Sequence, residues 1–121
     1  MVVRLGCCVL LAAALLAPSA ARANCAAEVA RIMSRDTEKL NTRFQRVAKR
    51  IKTQGQSAKL IAEECRIARQ LQPKLEQQLA ALKQSGCRRD PDMSAMIADI
   101  IRGHEDDLAL ARLSAARSEC R

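Results

Sequence analysis

Four cysteines, Cys25, Cys65, Cys87 and Cys120, punctuate the chain downstream of an apolar leader. In an oxidising compartment such cysteines pair, and each pair holds two Cα atoms about 5.5 Å apart, so they restrict how the segments between them lie. Four cysteines allow three pairings, and spacing alone does not choose among them. No C-x-x-C or Cys/His cluster offers metal ligation in place of pairing.

The leader, residues 1–23, reads as a secretory signal peptide. Met1 to Arg4 is a short basic start, Val9 to Ala17 an apolar run, Pro18 a break and Ala21-Arg22-Ala23 a small-residue cleavage site. The apolar run is shorter than the ~20 residues that span a bilayer, so cleavage before Asn24 is expected, with Cys7 and Cys8 lost in the peptide. The expectation is a soluble exported protein, periplasmic if the source is bacterial. Residues 24–121 then make one domain with a thin core and no transmembrane segment. Loss of Arg4 and Arg22 lowers Lys+Arg from 21 to 19 against 13 acids, so the net charge falls from +8 to +6.

Phe44 is the only aromatic residue. Single-stranded nucleic acid is gripped by stacking on aromatic faces, so this composition, with export, argues against a nucleic-acid partner. A basic exported protein meets anionic lipid, envelope polymers or acidic proteins.

Apolar periodicity predicts an all-α fold of three long helices. Ala26, Val29, Met33, Leu40, Phe44, Val47 and Ile51 mark one stripe of a first helix over Cys25 to Lys52. Gly55 stops it and Ser57 caps the next. A second helix over Ala58 to Ser85 carries Ile61, Cys65, Ala68, Leu71, Leu75, Leu79 and Leu82 on one face. Pro73 lies inside it and predicts a kink near Gln70 to Pro73, because proline removes a backbone donor; a full break, giving four helices, is the alternative. The apolar phase continues across Pro73, which favours a bent continuous helix. Asp90-Pro91-Asp92 predicts the start of a third helix, with Met93, Ile97, Ile100, Ile101, His104, Leu108 and Ala111 inward.

Short turns between helices of similar length predict an up-down-up antiparallel three-helix bundle. In it Cys25 with Cys120 would join opposite ends of rods ~40 Å long, and Cys25 with Cys65 would span roughly 30 Å. The remaining pairing is Cys25 with Cys87 and Cys65 with Cys120. Each bridge would contribute roughly 4 kcal/mol by loop-closure entropy. A regular third helix would point Cys120 away from the inner stripe, so a distortion is expected between residues 109 and 120.

The strongest functional signal is charge. Arg35, Lys39, Arg43, Arg46 and Arg50 recur at spacings of four, four, three and four, which confines them to a sector of about 80° on the first helix. Such a ridge suits bidentate pairing with phosphates or carboxylates, although rows of cations are also ordinary solvated surface. Glu105-Asp106-Asp107 on the third helix offers an intramolecular counter-charge.

His104, with Asp107 one turn on, has the composition of an acid–base or metal pair, but a seam histidine reads the same way. The surroundings are not H-E-x-x-H, and no G-x-S-x-G or glycine-rich phosphate loop occurs, so a non-catalytic protein without a cofactor is expected. The alternative function is soft-metal handling, with Met33, Met93, Met96 and His104 taking copper, since thioethers favour Cu(I). Met33 and Met93 also sit where core packing explains them. Leu110 and Leu113 have no place on the inner stripe, leaving a homo-oligomer open.

Overall fold

The computed structural model describes residues 24–120; the signal-peptide reading of residues 1–23 lies outside them. The described residues are helical, with no strand, and form four α-helices where three were expected. We label these α1 (residues 24–32), α2 (Arg35–Gln54), α3 (Ala58–Gln84) and α4 (Ser94–Ala115).

The expected first helix is interrupted at Met33–Ser34, where Ser34 is extended (φ −90°, ψ 133°). The physical reason is Asp36. In an unbroken helix it would fall on the apolar stripe, three residues after Met33 and seven after Val29. The break places Asp36 and Glu38 in the exposed first turn of α2, where the positive end of the helix dipole favours carboxylates. Packing around the break also shifts. Ile32 packs on the core, whereas Met33, expected inward, is 37% exposed and Ala26 is exposed as well.

The turn from α2 to α3 depends on Gly55, whose φ of 87° and ψ of 169° lie in a region open essentially to glycine. Ser57 caps α3 as expected, its hydroxyl accepting from the Leu60 amide at 3.1 Å. α3 then runs unbroken through Pro73. Both Pro73 and Arg69, whose carbonyl loses its helical donor there, are exposed, so solvent can satisfy that carbonyl.

α3 packs against both α2 and α4. Its buried face is accordingly wider than one stripe and takes in Leu60, Glu64, Ile67 and Gln78 besides the expected residues, of which Ile61 alone is only half-buried. Phe44, Ile67, Leu71, Leu75, Leu82 and Ile97 are the largest fully buried side chains. Full burial of such a side chain contributes about 1.5–3 kcal/mol, so these residues dominate cohesion.

A 3-10 turn, Gly86–Arg89, follows α3. The Asp90 carboxylate accepts from the Asp92 amide at 3.1 Å, and the Asp90 carbonyl accepts from the Ser94 amide at 2.8 Å. The Asp90 carboxylate thus closes the turn of residues 91–93 and does not cap the helix as expected: α4 starts at Ser94 rather than at Pro91, follows Met93 and has no side-chain cap. At the other end α4 stops at Ala115, and a second 3-10 turn, Ser118–Cys120, folds back onto α3. That is the distortion Cys120 requires. Cys25 pairs with Cys87 and Cys65 with Cys120, with Cα atoms 5.5 Å apart in both cases.

Candidate functional site: a basic ridge on α2

All five ridge residues, Arg35, Lys39, Arg43, Arg46 and Arg50, are exposed on α2. Phe44, Val47 and Ile51 are buried on the opposing side of the same helix, and this amphipathic split turns the cations outward. Arg35, Lys39, Arg43 and Arg46 border an open depression of about 510 Å³ that Glu38 and Thr42 complete. Arg50 continues the row one turn further.

None of the five forms an ion pair among the described residues. The acidic run of α4, offered by the sequence as a counter-charge, points elsewhere. Glu105 pairs with Lys83 of α3 at 3.1 Å. Asp107 does reach α2, but by accepting from the amides of Asn41 at 3.0 Å and Gln45 at 3.5 Å, on another face from the ridge. With Lys49 and Lys52, α2 carries seven cations against Asp36 and Glu38, a net +5 over 20 residues. Lys49, also exposed, borders the ridge and was missed by a reading that followed a single row. Its spacing of three from Arg46 was the available signal.

His104 is a buried seam residue, only 8% exposed. Its Nδ1 lies 3.0 Å from the Ile100 carbonyl oxygen and its Nε2 3.0 Å from the Gln78 side-chain amide. Both nitrogens are thus engaged by groups other than Asp107, whose carboxylate is held by Asn41 and Gln45. The His104 and Asp107 side chains line the same small cavity without hydrogen bonding to each other.

Met33 joins His104 in lining that cavity. Met93 and Met96 do not reach it. They lie 11 and 8 residues before His104 on the α4 side, about 17 and 12 Å along a helix. Met93 packs against the core, and Met96 is 45% exposed. Among the described residues no group of three or more His, Cys, Asp or Glu side chains is gathered to hold a metal ion. No described helix is long and apolar enough to cross a membrane.

Gln78 is the other residue that the sequence reading passed over. It follows Leu71 and Leu75 and precedes Leu82 at spacings of three and four, a polar side chain at a core position.

No protein-family model, curated protein or solved structure matches the chain. Fold and site together define a small, all-helical, disulfide-bonded protein with a row of cations along one exposed helix face.

Proposed function

We propose that this protein is an exported, non-catalytic interaction module. Its α2 ridge docks an anionic lipid surface, an envelope polymer or an acidic protein, in the periplasm if the source is bacterial. In this reading residues 1–23 are removed on export and residues 24–121 act as a single up-down-up bundle, with α1 and α2 together forming its first rod.

The observation that carries the proposal is that Arg35, Lys39, Arg43, Arg46 and Arg50 are exposed with no acidic partner among the described residues. Unpaired guanidinium groups retain their full capacity for bidentate bonds to carboxylate or phosphate oxygens. The contact is Coulombic rather than inserting, because Met96, Leu110 and Leu113, three of the four exposed large apolar side chains among the described residues, lie on α4. The two bridges hold α1 to the turn after α3, and α3 to the C-terminal turn, so the ridge is presented on a constrained scaffold.

The test is binding to vesicles containing anionic lipid, and to an acidic protein, over a salt series. Replacing Arg43, Arg46 and Arg50 with Glu takes α2 from +5 to −1. Binding is expected to weaken steeply with salt and to disappear in the triple variant, because exposed charges are screened beyond about 8–10 Å at physiological ionic strength. Undiminished binding in the triple variant removes the ridge from the function.

A further inference from the structure

The break between α1 and α2 borders a depression of about 300 Å³. Arg31 and Ile32 of α1, Ser34 of the break, Thr37 of α2, and Lys74 and Ala81 of α3 line it, and no Asp or Glu does. At about 100° per residue, Thr37 lies at least about 120° round α2 from every residue of the ridge, so this is a different face.

Thr37 is only 5% exposed, yet its hydroxyl has no hydrogen-bond partner among the described residues. The other two threonines of α2 bond back along the helix, Thr42 to the Glu38 carbonyl at 3.0 Å and Thr53 to the Lys49 carbonyl at 3.1 Å. The equivalent carbonyl for Thr37 belongs to Met33, which the break puts outside the helix, and the hydroxyl is left over. It is also within reach of a ligand. The unpaired polar atoms sealed from solvent are Asn41 Oδ1, Gln78 Nε2 and Asp90 Oδ2, and the Thr37 oxygen is not one of them. An unpaired polar group on so buried a residue calls for a partner.

The start of α2 supplies further donors. No side chain caps it, so its first-turn amides lack acceptors at the positive end of the helix dipole, and the Ser34 hydroxyl is spare. Two cations stand on opposite walls. Lys74 forms no ion pair among the described residues, and Arg31, its side chain 76% exposed, meets Glu28 only at 3.9 Å. Asp36 and Glu38 flank Thr37 in sequence and therefore point about 100° to either side of it, clear of the depression.

Donors converging from three elements suit a tetrahedral anion, whose three terminal oxygens can be met from several directions; a carboxylate offers two oxygens in one plane. A phosphate monoester carries about −1.5 to −2 at neutral pH, which matches the two cations. The depression holds about ten waters' volume at ~30 Å³ each, more than the phosphate alone needs, and half-buried Ile32 and Ala81 suit an apolar substituent. We propose that this depression binds a phosphate monoester, with Arg31 and Lys74 on its charge, and Ser34, Thr37 and the first-turn amides of α2 donating to its oxygens. The site is separate from the ridge and does not depend on it.

The test titrates phenyl phosphate into the oxidised protein, with benzoate at equal ionic strength as the comparison. Saturable NMR shifts are expected at the Asp36 and Thr37 amides with phenyl phosphate alone. The Kd is expected to rise at least about tenfold in Lys74→Gln, which loses a charge-assisted bond, and to rise in Thr37→Val, which keeps the shape and removes the hydroxyl. Lys74 is exposed, so its replacement leaves the core intact. The Arg43, Arg46 and Arg50 to Glu variant is expected to bind phenyl phosphate as the parent does at physiological salt, since charges on another face are screened. Displacement of phenyl phosphate by phosphatidic acid vesicles assigns the phosphate to a lipid headgroup, and its retention assigns it to a soluble monoester. The proposal is overturned by the absence of saturable shifts, by an equal response to benzoate, by unchanged affinity in both Lys74→Gln and Thr37→Val, or by loss of binding in the ridge variant.

Discussion

Removing the Cys65–Cys120 bridge, by Cys65→Ala with Cys120→Ala, is expected to destabilise the protein by about 4 kcal/mol. The two residues are 55 apart in sequence, and the loop-closure relation for such a loop gives about 4 kcal/mol at 25 °C. A domain of this size is stable by roughly 5–15 kcal/mol, so the loss is a large fraction of the total. Urea unfolding followed by circular dichroism measures it. With a slope of about 1–3 kcal/mol/M the midpoint falls by about 1–4 M.

The bridge also holds an ion pair in place. Arg117, three residues before Cys120, pairs with Glu64 at 3.3 Å, and the Glu64 side chain is only 4% exposed against 40% for Arg117. Stripping the partner from a fully buried charge costs about 3–5 kcal/mol. Arg117 is partly solvated, so Arg117→Ala is expected to cost less than that. Once the bridge is gone the C-terminal turn is already loosened, and Arg117→Ala then costs less still. A double-mutant cycle is therefore expected to show coupling above about 0.5 kcal/mol, the range within which independent sites add. Destabilisation below about 1 kcal/mol would refute the loop-closure reasoning. Strict additivity would refute the idea that the bridge positions Arg117.

Other perturbations have separate readouts. Ser57→Ala is expected to cost about 1 kcal/mol in denaturant unfolding, by leaving the Leu60 amide without its cap. Gly55→Ala is expected to cost about 1–3 kcal/mol although nothing crowds the added carbon, because only the positive φ opposes it; an unchanged midpoint would contradict that. Phe44→Ala is expected to cost about 3–5 kcal/mol, as a side chain only 2% exposed leaves a cavity. The Glu76 carboxyl titrates below its ordinary range because Gln72 donates to it, with Arg112 donating as well. Its stabilisation is thus present above the unfolded-state value, about pH 4.3, and is lost as pH falls through the lowered folded-state value. Gln72→Leu is expected to move the Glu76 titration upward, read by side-chain carboxyl NMR.

Periodicity made most of the helical content legible, since the spacings of Leu40, Phe44, Val47 and Ile51 and of Leu71, Leu75, Leu79 and Leu82 survive as buried faces of α2 and α3. The break at Met33–Ser34 was recorded in the sequence as a gap in the apolar stripe between Met33 and Leu40 with Asp36 inside it, but a seven-residue spacing reads as continuity unless the acid is weighed. The width of the α3 face was not legible. Ile67 and Gln78 are buried because α3 packs against two helices, and a single-stripe reading assumes one contact surface. The ridge was legible as a row of cations, since helical spacing is a local property. Its lack of acidic partners was not.

Residue order settles what depends on near neighbours along the chain: helix formation, the Ser57 cap, the glycine turn and the outward row of cations. It also bounded the cysteine pairing, because helix length alone separates distant pairs. Packing between the helices sets how Cys120 reaches Cys65, through a turn folded back after Ala115. It alone turned Asp107 toward Asn41 and Gln45 and left the ridge unpaired. It alone gathered Asn41, Gln78, His104 and Asp107 around one cavity. These outcomes join residues 26 to 66 positions apart, and which distant side chains meet is set by how the helices pack, to which local periodicity is blind.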